Sequence, residues 1–231
     1  MTNVKILYED KDVIVVVKPP GMPSQGERSS ALDMVSYLKN YYGKKGNRTQ
    51  YIAVVHRLDR PVGGVMVYAK SPEAAKRLSV QIQNRDISKH YKAVLTGRLS
   101  VPDGCLENYL KKDARLNLSK ITTADDTQAK IARLNYHVED EIERDGKLYS
   151  LVDIELLTGR HHQIRVQMAG AGAGIYGDTK YNPDFQNVKG WFPIGLFSYK
   201  LSFEHPISKK RMTFEEIPDS EPFNFFDLKK K

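Results

Sequence analysis

The dipeptide Asp145-Gly146 constrains the fold more than any other feature of the chain. It separates two long runs, residues 129–143 and 147–157, in which β-branched and aromatic residues recur. A two-residue type I′ turn needs positive φ at both central positions, and Asp-Gly supplies them, so the spacing predicts a long antiparallel hairpin. Other β-rich runs extend the sheet. Residues 6–8 and 13–18 flank the acidic turn Glu9-Asp10-Lys11-Asp12, residues 51–55 and 64–69 are apolar enough to be buried strands, and residues 91–97, 196–203 and 211–215 complete the set. Residues 106–111 read as an edge segment, followed by a polar stretch through Asp126.

Three helices fit between these runs. One spans residues 31–42, capped by Ser29 or Ser30, with Leu32, Val35 and Leu38 in one stripe. A second starts at Ser71-Pro72, with Ser71 at the cap and Pro72 at the first helical position, and runs to Asn84. The third, residues 161–169, is entered from the turn Thr158-Gly159-Arg160. With no internal repeat, the expected class is α+β: a mixed, mainly antiparallel sheet with flanking helices, in one domain over residues 1–231.

Charge narrows the partners. Lys and Arg number 36 against 28 Asp and Glu, a net charge of +8, which favours a polyanion over a neutral small molecule. The longest apolar run, Val13-Ile14-Val15-Val16-Val17, is far shorter than the roughly 18 to 20 residues of a membrane span. Absence of a secretory signal and a single cysteine, Cys105, point to the cytoplasm. Cys105 has no adjoining histidine or cationic cluster, so it reads as an incidental thiol rather than a nucleophile.

Two segments can carry chemistry. His56-Arg57-Leu58-Asp59-Arg60-Pro61-Val62-Gly63-Gly64 holds a carboxylate between two arginines, whose charge favours its ionised form. The string reads equally as a chain-reversing turn or as a site whose Asp59 is a nucleophile or ion-pair partner. In Leu157-Thr158-Gly159-Arg160-His161-His162-Gln163-Ile164-Arg165, two arginines and two histidines surround a helix start, a setting that suits an anion. Zinc fits poorly there, because adjacent histidines point apart and no spaced carboxylate or cysteine accompanies them. Gly170-Ala171-Gly172-Ala173-Gly174 lacks the ending of a nucleotide-binding loop, and the order His-Arg-Leu-Asp differs from the kinase catalytic loop.

Taken together, the motifs resemble the RluA-type pseudouridine synthases. His56-Arg57-Leu58-Asp59 with Gly64 and Ala69-Lys70 is similar to that family's catalytic motif. The segment from Thr158 to Val166 is similar to its later motif, and Asp12 through Gly21, with Lys-Pro-x-Gly, to its opening. Tyr91 in His90-Tyr91-Lys92-Ala93, Gly177-Asp178-x-Lys180-Tyr181 and His205-Pro206 also fit in order. The chain departs from the pattern at Val62-Gly63, where many members have Thr-Ser, and at Gln167, where they have His. The small N-terminal RNA-binding domain of many relatives is expected to be absent, since the first strand begins by Ile6.

The resemblance implies the pseudouridine synthase catalytic fold and an isomerase acting on uridines of ribosomal or transfer RNA without cofactor or metal. It implies that Asp59 attacks the uridine, that Arg165 orients and neutralises Asp59, and that Tyr91 meets the uracil ring. The target base must leave its stack, and Arg57 is the candidate to fill the gap. Arg60, Arg160 and His162 join Arg57 as expected RNA contacts. The expected partner is RNA alone, bound by a monomer with no membrane and no obligate protein partner. Two rival readings remain open on sequence: a non-catalytic RNA-binding or ribosome-assembly factor, and a hydrolase that uses Asp59 to release uracil.

Overall fold

The opening hairpin forms around its acidic turn. Asp10 Oδ1 accepts the backbone N–H of both Asp12 and Val13, each at 2.8 Å, which reverses the chain between β1 (Lys5–Glu9) and β2 (Val13–Lys18). The computed structural model describes residues 4–26, 32–188 and 193–228, and the chain divides into two compact units, Met1–Ser88 with Ser198–Glu216 and Lys89–Phe197 with Ile217–Lys231.

In the first unit, α1 (Met34–Lys44) begins later than the sequence predicts. Asp33 is the cap, its carboxylate accepting from Val35 N and Ser36 N at 2.8 and 3.1 Å. A charged acceptor at Asp33 satisfies two of the helix's orphan donors and fixes the start there. The buried stripe is therefore Met34, Leu38 and Tyr42, and Leu32 is exposed. The alternative caps Ser29 and Ser30, with Ala31, lie outside the described residues. Next come β3 (Ala53–Val54), β4 (Gly63–Ala69) and α2 (Pro72–Asn84), the last capped by Ser71 as expected. Later in the chain, β10 (Leu196–Glu204) and β11 (Arg211–Glu215) pair antiparallel. Strand order in this unit is β1-β2-β4-β10, with β3 on β4 and β11 on β10. Every residue of β4 is buried, as an apolar run covered on both faces should be, and Val13, Val15, Val65, Val67, Leu78 and Phe203 share one core cluster.

The second unit is ordered β5 (Ser88–Thr96), β9 (Lys147–Leu156), β8 (Lys130–Arg144), β6 (Asp103–Asp113) and β7 (Leu118–Thr122), all antiparallel. Asp145 and Gly146 close the β8–β9 hairpin at φ 51° and 70°, the positive values that a type I′ turn demands. The polar stretch after β6 contains a strand that composition concealed: Asn117, at φ 50°, turns the chain into β7. Helix α3 (Gln163–Gly170) packs Val166 against Leu110 of β6 and Ala132 of β8. This mainly antiparallel sheet with flanking helices is the architecture expected. No helix among the described residues is long and apolar enough to cross a membrane.

Candidate active site

The first unit carries Arg57, Asp59 and Arg60; the second carries Tyr91, Arg160, His162 and Arg165. The loop around Asp59 has no regular secondary structure, yet its backbone is tied down on both sides. Ser24, buried, donates through Oγ to Leu58 O at 2.8 Å and accepts Leu58 N–H at 3.1 Å. Val62 N donates to Asp59 O at 3.0 Å, closing the turn. The fully buried Lys18 spends its ammonium on three carbonyls, Met22 at 2.7 Å, Pro19 at 3.1 Å and Arg60 at 3.2 Å. Gly21 N adds a bond to Arg60 O at 2.8 Å, and Arg60 Nε returns one to Gly21 O at 3.0 Å.

The Lys-Pro-Pro-Gly opening thus functions as a cradle for the Asp59 loop, a role that Lys18 and Ser24 did not advertise in sequence. Leu58 is buried while Arg57 and Arg60 are exposed, and Arg57 has no hydrogen bond or ion pair among the described residues. Removing the Ser24 hydroxyl leaves a buried N–H and C=O of Leu58 without that partner. Ser24→Ala is therefore expected to cost on the order of 2 kcal/mol, measured by urea unfolding. A variant as stable as the parent would show that the clamp is dispensable.

In the second unit, Arg165 is buried within α3 and binds Asp178 in a bidentate fork, Nε to Oδ2 at 2.8 Å and Nη2 to Oδ1 at 2.7 Å. Asp178 also accepts the backbone N–H of Lys180 at 3.0 Å and of Tyr181 at 3.3 Å, and the Arg165 guanidinium lies 5.2 Å from the Tyr181 ring centroid. Planar pairing of this kind fixes a guanidinium's orientation as well as its charge. Asp178 is the partner of Arg165 that residue-type reasoning missed; only the motif Gly177-Asp178-x-Lys180-Tyr181 included it. Tyr91 is buried on β5, its Cα paired with that of Ile154 on β9.

The turn before α3 is organised by Gln163, whose Oε1 accepts from Thr158 Oγ1 at 2.7 Å and Arg160 N at 3.0 Å. Arg160 Nε then reaches Ile131 O at 2.9 Å. His162 is buried, at φ 53°. Ser119 N–H donates to Tyr181 Oη at 2.7 Å, and the same hydroxyl is hydrogen-bonded to His162 Nδ1, also 2.7 Å away. Burial first, then the charges of Arg165, His161 and Lys180, depress the imidazole to about 2. The unfolded value lies near 6.5, so the unfolded chain takes up this proton first. His162 thus contributes stability above about pH 6.5 that is lost as pH falls towards about 2. Between about pH 7.5 and about pH 5 the loss is about 2 kcal/mol. His162→Gln should shrink the measured fall in stability over that interval by a similar amount; an unchanged pH dependence would refute the neutral-histidine assignment.

Of the departures from the family pattern, Val62 is buried in the turn after Asp59, and Gln167 is buried against β6, with Nε2 donating to Asn108 Oδ1 at 2.8 Å and Leu106 O at 3.0 Å. Asp10, Asp12 and His205 lie close enough to suggest a cation site. His205 Nδ1, however, accepts from Ser208 N at 3.0 Å and Ile207 N at 3.3 Å, which leaves Nε2 as the protonated donor to Asp10 Oδ2 at 2.8 Å. A ring nitrogen carrying its proton offers no lone pair to a metal.

The family model for RNA pseudouridylate synthase matches residues 12–170. The chain is 32% identical over 222 residues to an uncharacterized RNA pseudouridine synthase of Bacillus subtilis, YlyB, covering 92% of this chain and 68% of that protein. It is likewise 32% identical over 229 residues to tRNA pseudouridine synthase C of Pasteurella multocida, covering 91% of this chain and 90% of that one. The solved structure of human RNA pseudouridylate synthase domain containing 1 shares the fold, with a TM-score of 0.78 at 20% identity over 94% of this chain and 84% of that one. The chain belongs to the RNA pseudouridylate synthase family. It is an isomerase that converts uridine in RNA to pseudouridine.

Proposed function

We propose that Asp59 is the nucleophile of this reaction, acting on a uridine of ribosomal or transfer RNA that has left its stack. The observation that carries the reading is the loop itself. Its carboxylate-bearing residue is held by a backbone clamp on Leu58, a turn bond to Val62 and the Lys18 cradle, while Arg57 and Arg60 beside it face solvent. A reactive group needs such preorganisation, and a mere surface turn does not. Arg165, oriented by Asp178, is proposed to direct and neutralise the Asp59 carboxylate, and Tyr91 to pack against the uracil ring.

Arg57, exposed and without a hydrogen bond or ion pair among the described residues, suits insertion where the flipped base was, because its planar guanidinium stacks as well as pairs. Arg60 and Arg160 are proposed phosphate contacts. His162, neutral and engaged with Tyr181, enters as a positioning residue for the Arg165 helix. Transfer RNA is supported by the name of the Pasteurella multocida relative, and a cytoplasmic setting by a lone cysteine, Cys105, that cannot close an internal disulfide. Tritium release from RNA carrying uridine labelled at C5 tests the proposal, using RNA from cells that lack the gene. Release with the carbon–carbon glycosidic product supports it; free uracil would indicate a hydrolase, and binding without release a non-catalytic factor.

A further inference from the structure

Strand β5 treats its lysines unequally. Lys92, buried, has two carboxylates at 2.7 Å, Glu139 and Asp153. Lys89, three residues earlier on the same strand, has no hydrogen bond and no ion pair among the described residues, although it is largely withdrawn from water. That withdrawal lowers its pKa below the ordinary lysine value, the direction desolvation gives an ammonium with no compensating anion. A charge kept in such a place costs stability unless something satisfies it.

Position says what that something is. Successive side chains of a strand alternate between faces, so Lys89 and Tyr91 point the same way, while His90 and Lys92 point to the other face with Asp153. Two residues along a strand separate Lys89 from Tyr91 by roughly 6 to 7 Å, comparable with the span from a base to its own phosphodiester. Gly159, on the exposed turn before α3, lies beside Lys89: a Cβ there would stand 3.9 Å from the ammonium.

We infer that Lys89 binds the backbone phosphodiester adjoining the uridine that packs on Tyr91. This inference rests on the proposed placement of Tyr91 against the base. A ligand phosphate would supply the anion that the fold supplies to Lys92 and withholds from Lys89. The lysine is then a binding residue whose unpaired state costs the free protein some stability, a trade familiar at functional sites.

The test is Lys89→Met, read by the salt dependence of binding to a labelled oligouridylate, whose weakly stacked bases need little flipping. The variant is expected to bind roughly tenfold more weakly at low salt, and its log–log salt slope to be shallower by about 0.7, the value for one lost single-strand phosphate contact. Its Tm should stay level or rise, because methionine occupies the site without an uncompensated charge. Lys89→Arg should restore the slope, and Lys76→Met, removing an exposed charge on α2, should leave it unchanged. An unaltered slope in Lys89→Met, an equal change in Lys76→Met, a lowered Tm, or no oligouridylate binding by the unaltered protein at low salt would each overturn the inference. Failure of the enzymatic reading shows separately, as absence of tritium release by the unaltered protein.

Discussion

Asp59→Asn is expected to abolish pseudouridine formation, with the rate falling by at least about four orders of magnitude, while RNA affinity and thermal stability stay close to those of the parent. Asparagine matches aspartate in shape but lacks the anionic oxygen that the proposed attack on carbon requires. The loop keeps bonds that the substitution does not remove: Leu58 is clamped from Ser24, Val62 N meets Asp59 O, and Lys18 and Gly21 N meet Arg60 O. Tritium release under single-turnover conditions gives the rate, and filter binding the affinity. Activity within tenfold of the parent would remove Asp59 from the nucleophile's role.

The largest effect on stability is expected at Gly64. It adopts φ +132°, and a Cβ would stand 2.6 Å from Ser198 N and 2.7 Å from Ser198 Cβ on β10, and closer still to the Ser198 carbonyl oxygen. Backbone atoms of a neighbouring strand in a buried sheet cannot swing aside as the end of a flexible side chain can. Strain at such a φ costs about 1 to 3 kcal/mol and overpacking a similar amount, so Gly64→Ala should lose on the order of 4 kcal/mol. Gly46, also at positive φ but with nothing near its would-be Cβ, separates the two contributions. Gly46→Ala should lose only about 1 kcal/mol. Equal unfolding midpoints for the two variants would show that the contact with Ser198 is not what excludes a side chain.

Local chemistry made some elements readable from sequence. Asp145-Gly146 announced its turn because few dipeptides tolerate two positive φ values, and Ser71-Pro72 announced α2 because a cap and a fixed φ coincide there. Where neighbouring residues offered competing solutions, the reading slipped. Asp33 and the preceding serines are all good caps, and only the folded chain shows Asp33 holding two amides. Strand β7 was hidden because Leu118 to Thr122 is mostly polar and is a strand by virtue of pairing with β6. In the active-site segments, motif order identified Asp59, Tyr91 and Arg165 as candidates, but not the groups that restrain their neighbourhoods. Ser24 lies 34 residues from Leu58, Lys18 lies 42 from Arg60, and Asp178 lies 13 from Arg165. Such pairings depend on the tertiary fold and leave no local periodicity to read.

The cradle under Asp59 also separates two kinds of evolutionary freedom. Its bonds run inward, through main-chain atoms of Leu58 and Arg60 and through Arg60 Nε on Gly21 O, while the side chain of Arg57 extends outward. On the proposed reading, that outward side chain can be exchanged to suit a different RNA without loosening the cradle. A change in Lys18 or Ser24 moves the carboxylate whatever RNA is bound. Altering target preference by design should start at Arg57 and leave Arg60 and the opening Lys-Pro-Pro-Gly segment untouched.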